Sequence, residues 1–126
     1  MKKGVLDRRI RIERPQADAS FKGAGSGTWQ PVVEVWANVQ DVPPSRGERL
    51  AEGINVASRP ARVRMQYRRG ISSSMRVLIG HYEDVDGERT WFTDRTVQLI
   101  TEPAELGFRD GLEFMVEEYR PAGNGA

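Results

Sequence analysis

The strictest constraint on this fold is an alternation repeated on both sides of a polar gap. In Arg8-Arg9-Ile10-Arg11-Ile12-Glu13-Arg14-Pro15 the apolar side chains at 10 and 12 interleave with charge at 9, 11 and 13. That is the two-residue period of a strand with one buried face, and Pro15, lacking an amide hydrogen, ends its pairing. A second strand comes next in Trp29-Gln30-Pro31-Val32-Val33-Glu34-Val35-Trp36-Ala37-Asn38-Val39, with Val33, Val35, Ala37 and Val39 on one face. Trp36 falls on the polar face and marks a contact surface. Between the strands, residues 16–27 have no apolar period, hold Phe21, and place glycines at 23, 25 and 27. A connection of this length inside a small domain is usually functional, so a loop that docks on assembly is expected.

The same period recurs downstream. Ala61, Val63, Met65 and Tyr67 form one face of a strand whose other face is Arg62, Arg64, Gln66 and Arg68. Met75 to Tyr82 and Arg89 to Thr93 read as a hairpin around Asp86-Gly87, a dipeptide suited to positive φ. Thr96 to Thr101 continues or adds a strand, Glu102 to Asp110 is a connection, and Leu112 to Tyr119 is the last strand. After Pro43-Pro44, Ser45-Arg46-Gly47-Glu48 matches a capping box and predicts a short helix from Arg46 to Glu52, stopped by Gly53. Leu50, Ala51 and Ile54 are too few to anchor it in a core. Short strands between turn signals predict an all-β fold, a small antiparallel barrel or sandwich with one short helix and long loops. Residues 1–120 are expected to form one domain and residues 121–126 a flexible tail.

Composition narrows the function. The 126 residues contain no cysteine, which removes disulfides, thiolate metal sites and thiol nucleophiles and fits a reducing compartment. Nineteen basic and 18 acidic side chains nearly cancel to +1, unlike the lopsided charge of a general nucleic-acid binder, so protein partners are favoured. The basic start has no apolar run behind it, and no stretch is long and apolar enough to span a membrane, so neither signal peptide nor membrane contact is expected.

Chemistry finds little purchase. His81 is the sole histidine, and no nucleophile elbow surrounds any serine, including Ser72-Ser73-Ser74. Asp84, Asp86 and Glu88 alternate but lack the remaining ligands of a calcium loop, and Gly23 to Thr28 lacks the lysine of a phosphate loop. No catalytic residue, cofactor or metal site is expected, and the chain does not read as an enzyme. The arginines are the remaining signal. Arg9, Arg11, Arg62, Arg64 and Arg68 stand on outward strand faces, where they suit an interface, cross-strand pairing with acids such as Glu13 and Glu34, or sequence-blind phosphate contact.

Taken in order, Leu6 to Pro15, Gly27-Thr28-Trp29, Val35 to Val39, Ser45-Arg46-Gly47-Glu48, Ala61 to Ile71 and Met75 to Leu78 resemble the head-tail joining, or head-completion and stopper, proteins of tailed bacteriophages. Beyond Gly80 the resemblance weakens, and Tyr82 to Arg89 and Glu102 to Asp110 look expanded. The resemblance implies a structural virion component, assembled in the host cytoplasm, that forms a ring at the head-tail connector, commonly a dodecamer. Such a ring closes the DNA-filled head, meets portal or adaptor proteins above and receives tail proteins below, and its channel is compatible with non-specific DNA contact. It further implies a channel loop at Pro43 to Arg59, carrying Arg46, Glu48, Arg49 and Glu52. Arg9, Arg11, Phe21, Trp29, Trp36, Arg62, Arg64 and Arg68 are the interface candidates. Gene transfer agents use related parts. A tail-terminator or adaptor subunit, or a nucleic-acid-binding barrel with Trp36 or Tyr67 stacked on bases, is the competing reading.

Overall fold

The computed structural model describes residues 6–16, 28–42 and 59–119. These hold seven strands: β1 Arg8–Pro15, β2 Trp29–Asp41, β3 Ala61–Gln66, β4 Arg76–Val85, β5 Glu88–Leu99, β6 Ala104–Leu106 and β7 Gly111–Glu118. All pairings are antiparallel, and the strands lie in one sheet in the order β3-β2-β1-β4-β5-β7-β6. The sheet curls until β3 also pairs with β7, from Ala61 opposite Val116 to Gln66 opposite Gly111.

Burial obeys the alternation. Ile10 and Ile12 of β1, Val63 and Met65 of β3, Val77 and Ile79 of β4, Val97 of β5, and Phe114 and Val116 of β7 are all removed from water. Each contributes about 1.5–3 kcal/mol over its exposed state. The concave side of the curled sheet is therefore the core, and the arginine-bearing faces of β1 and β3 form the convex side.

The expected barrel or sandwich with a short helix is corrected. There is one curled sheet rather than two layers, and its wall is not uniformly closed. The second edge of β7 is divided, with β6 opposite residues 111–113 and β5 opposite 116–118. On the other side, β2 between Trp29 and Trp36 has only β1 as a neighbour among the described strands. No described residue is helical, and the segment expected as helix, Arg46 to Glu52, lies outside the described residues, as do the glycine-rich segment from 17 to 27 and the tail from 121 to 126. β6 is a further difference, since a three-residue strand interrupts the stretch expected to be a plain connection.

Two irregularities set where side chains point. Ile12 faces Val33 but Glu13 faces Pro31, so β2 carries an extra residue, Val32. Ile79 faces Arg95 but Gly80 faces Thr93, so β5 carries an extra residue, Asp94. A bulge bends its strand and re-aims the side chains on either side of it. Past Asp94, β4 and β5 leave the sheet body as a two-stranded ribbon, closed by Asp86 (φ 52°) and Gly87 (φ 83°) in the two-residue turn that Asp-Gly favours.

Candidate interface on the convex face

The outward face of β2, β1, β4 and β5 is built around Glu34. Register places Glu34 opposite Arg11, with Trp36 opposite Arg9. Arg9 Nε donates to one carboxylate oxygen at 2.8 Å and Arg11 Nε to the other at 2.9 Å. The Tyr82 hydroxyl reaches both oxygens at 2.8 Å, and Arg11 Nη2 donates to that hydroxyl at 3.3 Å. Partial burial works against both charges here. Hydrogen bonds from Tyr82, Arg9 and Arg11 outweigh it and hold the Glu34 carboxyl below its usual range, and the bonds to Tyr82 and Glu34 raise Arg11 above its own.

Aromatic rings extend the cluster on both sides. The Arg9 guanidinium lies 4.8 Å from the Trp36 ring centre, Arg11 lies 4.2 Å from Trp91, and Arg89 lies 4.1 Å from Tyr82. Tyr82 and Trp91 meet edge to face at 5.3 Å. Cations over ring faces add about 0.5–1 kcal/mol each at exposed sites. A second group repeats the design nearby. Arg76 pairs with Glu13 at 2.8 Å and lies 4.4 Å over Trp29, whose ring meets Tyr119 edge-on.

The remaining expected residues fall elsewhere. Arg64 Nε donates to Glu113 of β7 at 2.5 Å, and Arg62 bonds to Gln40 of β2. Arg68 makes no ion pair or hydrogen bond with a described residue. It lines a cavity of about 500 Å³ with Leu6, Val35, Trp36 and Tyr67, beside the half of β2 that β3 does not accompany. Trp36 is half exposed there. Arg9, Arg11 and Trp36 thus come together, Trp29 joins the second group, and Arg62 with Arg64 form a third. Phe21, Arg46, Glu48, Arg49 and Glu52 lie outside the described residues. Carboxylates alternate with these arginines, so the described convex face has no continuous basic stripe of the kind a nucleic-acid groove needs.

Tyr82, Arg89 and Trp91 belong to the site although their place in the sequence does not single them out. A signal is present all the same: a two-residue turn at Asp86-Gly87 fixes the register and puts Tyr82 opposite Trp91. Arg76 carries no such signal, because its partners come from β1, β2 and the end of β7.

The opposite face of the ribbon carries His81, stacked on the half-exposed Phe92. Its Nδ1 lies 2.8 Å from Asp94 and its Nε2 2.6 Å from Glu83, and these two hydrogen bonds raise its pKa above the ordinary imidazole value. A raised folded pKa contributes stability below the unfolded imidazole value, and this is lost as pH rises through the folded one. We expect the single histidine to titrate above 6.5 by NMR, and Asp94→Asn to bring its midpoint down. An unchanged midpoint would show that the Asp94 contact does not hold the proton.

At the end where β2 stops and β3 starts, Arg95 is almost enclosed. It donates to Asp41 at 2.9 Å and to the Arg59 carbonyl at 2.8 Å, while Val42 N donates to the Pro60 carbonyl at 2.9 Å. Arg59 also faces Glu118 at 3.6 Å. These contacts tie together the two described ends that flank residues 43–58.

Among the described residues no three His, Cys, Asp or Glu side chains converge as a metal site, and no helix is long and apolar enough to cross a membrane. No curated protein matches the chain. The solution structure of protein SF1141 from Shigella flexneri 2a has a similar fold, with a TM-score of 0.57, 23% identity, and coverage of 94% of this chain and 96% of that one. The family model for phage head completion proteins matches residues 1–103, extending past Gly80, where the sequence resemblance weakens. The chain belongs to the phage head completion protein family, and its role is structural rather than catalytic, as a virion component at the connector between head and tail.

Proposed function

We propose that residues 1–120 form one subunit of a closed ring, commonly of twelve copies, that seals the packaged head and presents a docking surface to the tail. Portal or adaptor proteins stand on one side of the ring and tail proteins on the other. The observation that carries the ring is where exposed apolar side chains sit. Trp36 stands on the half of β2 that β3 does not accompany, Phe92 on the ribbon, Ile100 after β5, and Phe108, fully exposed, on the turn between β6 and β7. Large apolar groups spread over several sides of a small subunit suit contacts on several sides.

Arg9, Arg11, Trp36 and Arg68 belong to one such contact, Trp29 to a second, and Arg62 with Arg64 to a third. Phe21 adds to them from the glycine-rich segment. The segment Pro43 to Arg59 is the channel loop, with Arg46, Glu48, Arg49 and Glu52 meeting their counterparts from neighbouring copies around the axis. The ties among Val42, Pro60, Arg59 and Arg95 support this, because they hold both ends of the segment at one point of the sheet. DNA passing through the channel contacts the ring without sequence preference.

Electron microscopy of particles carrying a tagged copy of the chain tests the reading. A ring of tag density between portal and tail is expected. Density along the tail tube or at its distal end would overturn it, and a ring at the tail side of a separate stopper would favour the tail-terminator alternative.

A further inference from the structure

The β4–β5 ribbon is an arm whose tip pairs with no other strand among the described residues. β1 accompanies β4 only as far as Gly80, and β7 meets β5 only from Val97 onward. Residues 81–85 and 88–92 therefore pair with each other and with no other described strand. A two-stranded ribbon alone is marginal in water, so its root depends on the stack of Arg11, Trp91 and Tyr82. Its end is acidic. Asp84, Asp86 and Glu88 are exposed and make no ion pair with a described residue, Val85 is exposed between them, and the nearby Arg89 is folded back over Tyr82.

A complementary surface lies at the other end of the sheet. The connection after β3 and the turn before β7 enclose a cleft of about 410 Å³ lined by Tyr67, Arg68, Arg69, Ile71, Pro103 and Arg109. Arg68 and Arg69 are exposed and unpaired among the described residues. Arg109 rests against Tyr67 at 5.6 Å, with Glu105 at 3.9 Å. β3 runs in the direction of β1 and β4 runs against it, so the end of β3 and the end of β4 leave the sheet on opposite sides. The tip of the arm thus points away from the cleft of its own subunit.

We infer that the β4–β5 ribbon of one copy docks, tip first, in the Arg68–Arg69–Arg109 cleft of the next. Acidic tip and basic cleft match in charge, and Val85 meets Ile71 and Pro103 at the centre of the contact. Two different patches at opposite ends make a heterologous contact, the kind that generates a ring when its rotation closes. The inference rests on the ring reading and names the contact that builds the ring. The ribbon axis then runs around the circumference, leaving Arg9, Arg11 and Trp36 of the convex face and the segment 43–59 for other contacts, while Arg68, which lines both the convex cavity and the cleft, stands at the border of the two.

The absence of cysteine makes the test clean. Particles are assembled from full-length chain carrying Val85→Cys and Ile71→Cys, oxidised, and resolved by non-reducing electrophoresis. A ladder ending in one closed species is expected. Arg68→Glu with Arg69→Glu should lower cross-linked yield at least about tenfold, as should Asp84→Lys with Glu88→Lys, because like charges would then face each other. Combining the two pairs in one chain should restore it. A ring at the connector by microscopy with only monomer on the gel overturns the inference and leaves the ring reading standing. No ring at the connector overturns both, and cross-linking unaffected by either reversal overturns the charge pairing.

Discussion

Gly80→Ala is expected to destabilise the protein by about 2–3 kcal/mol and to turn the ribbon away from the sheet. Gly80 is buried at the β5 bulge, and a β-carbon there would lie 2.2 Å from the Phe92 carbonyl oxygen and 2.6 Å from Cζ2 of Trp91. The first contact is with backbone, so a rotamer change cannot relieve it and β4 must separate from β5. Overpacking of this kind costs about 1–3 kcal/mol, and here it falls where the ribbon is rooted. Displacing Trp91 takes the ring from Arg11, so tryptophan emission should change together with the denaturation midpoint. The double variant Gly80→Ala, Trp91→Ala separates the two contacts. It removes the ring but not the carbonyl, and should stay less stable than Trp91→Ala alone. A midpoint within about 0.5 kcal/mol of wild type, the range of neutral surface changes, would show that the strands can part without cost.

That glycine marks the boundary between what the chain's pattern discloses and what it does not. Ile10, Ile12, Val63 and Met65 are buried where alternation places them, and Asp86-Gly87 makes the expected turn, because both are local properties of a strand or a dipeptide. The bulge at Asp94 is not local. It depends on how far β1 and β7 accompany the hairpin, and it decides that Thr93 and Trp91 face outward although Arg95 and Val97 face inward. The way the sheet meets itself is hidden for the same reason. Nothing in Gly111 to Glu118 discloses that one edge takes β3 while the other is shared by β5 and β6. Of the arginines expected at an interface, Arg9 and Arg11 do lie together, but the carboxylate and rings that organise them come from three other strands. Pairing with Glu34 results from the β1–β2 register, whereas Tyr82 is recruited across a pairing that the pattern leaves open.

Glu34→Ala should cost about 2 kcal/mol, more than an exposed ion pair would. Exposed pairs contribute about 0–1 kcal/mol. Glu34 differs because one half-buried carboxylate answers three donors, Arg9, Arg11 and Tyr82. Hydrogen bonds to a charged group are worth about 1.5–3 kcal/mol, and removing the acceptor leaves two guanidinium groups side by side with no anion between them. Water reaches the site and recovers part of the loss, which keeps the cost at the lower end. Glu34→Gln retains an acceptor oxygen and should lose about half as much. Acid supplies an independent check. The Glu34 carboxyl is held below its usual range, so its contribution is present above the unfolded carboxylate value and is lost as pH falls through the lower folded one. Wild type should lose this increment on acidification while Glu34→Gln, having no proton to take up there, shows a shallower acid limb in urea titrations. Parallel acid limbs would show that the carboxylate is solvated rather than held, and that Arg9 and Arg11 are kept in place by Trp36 and Trp91 alone.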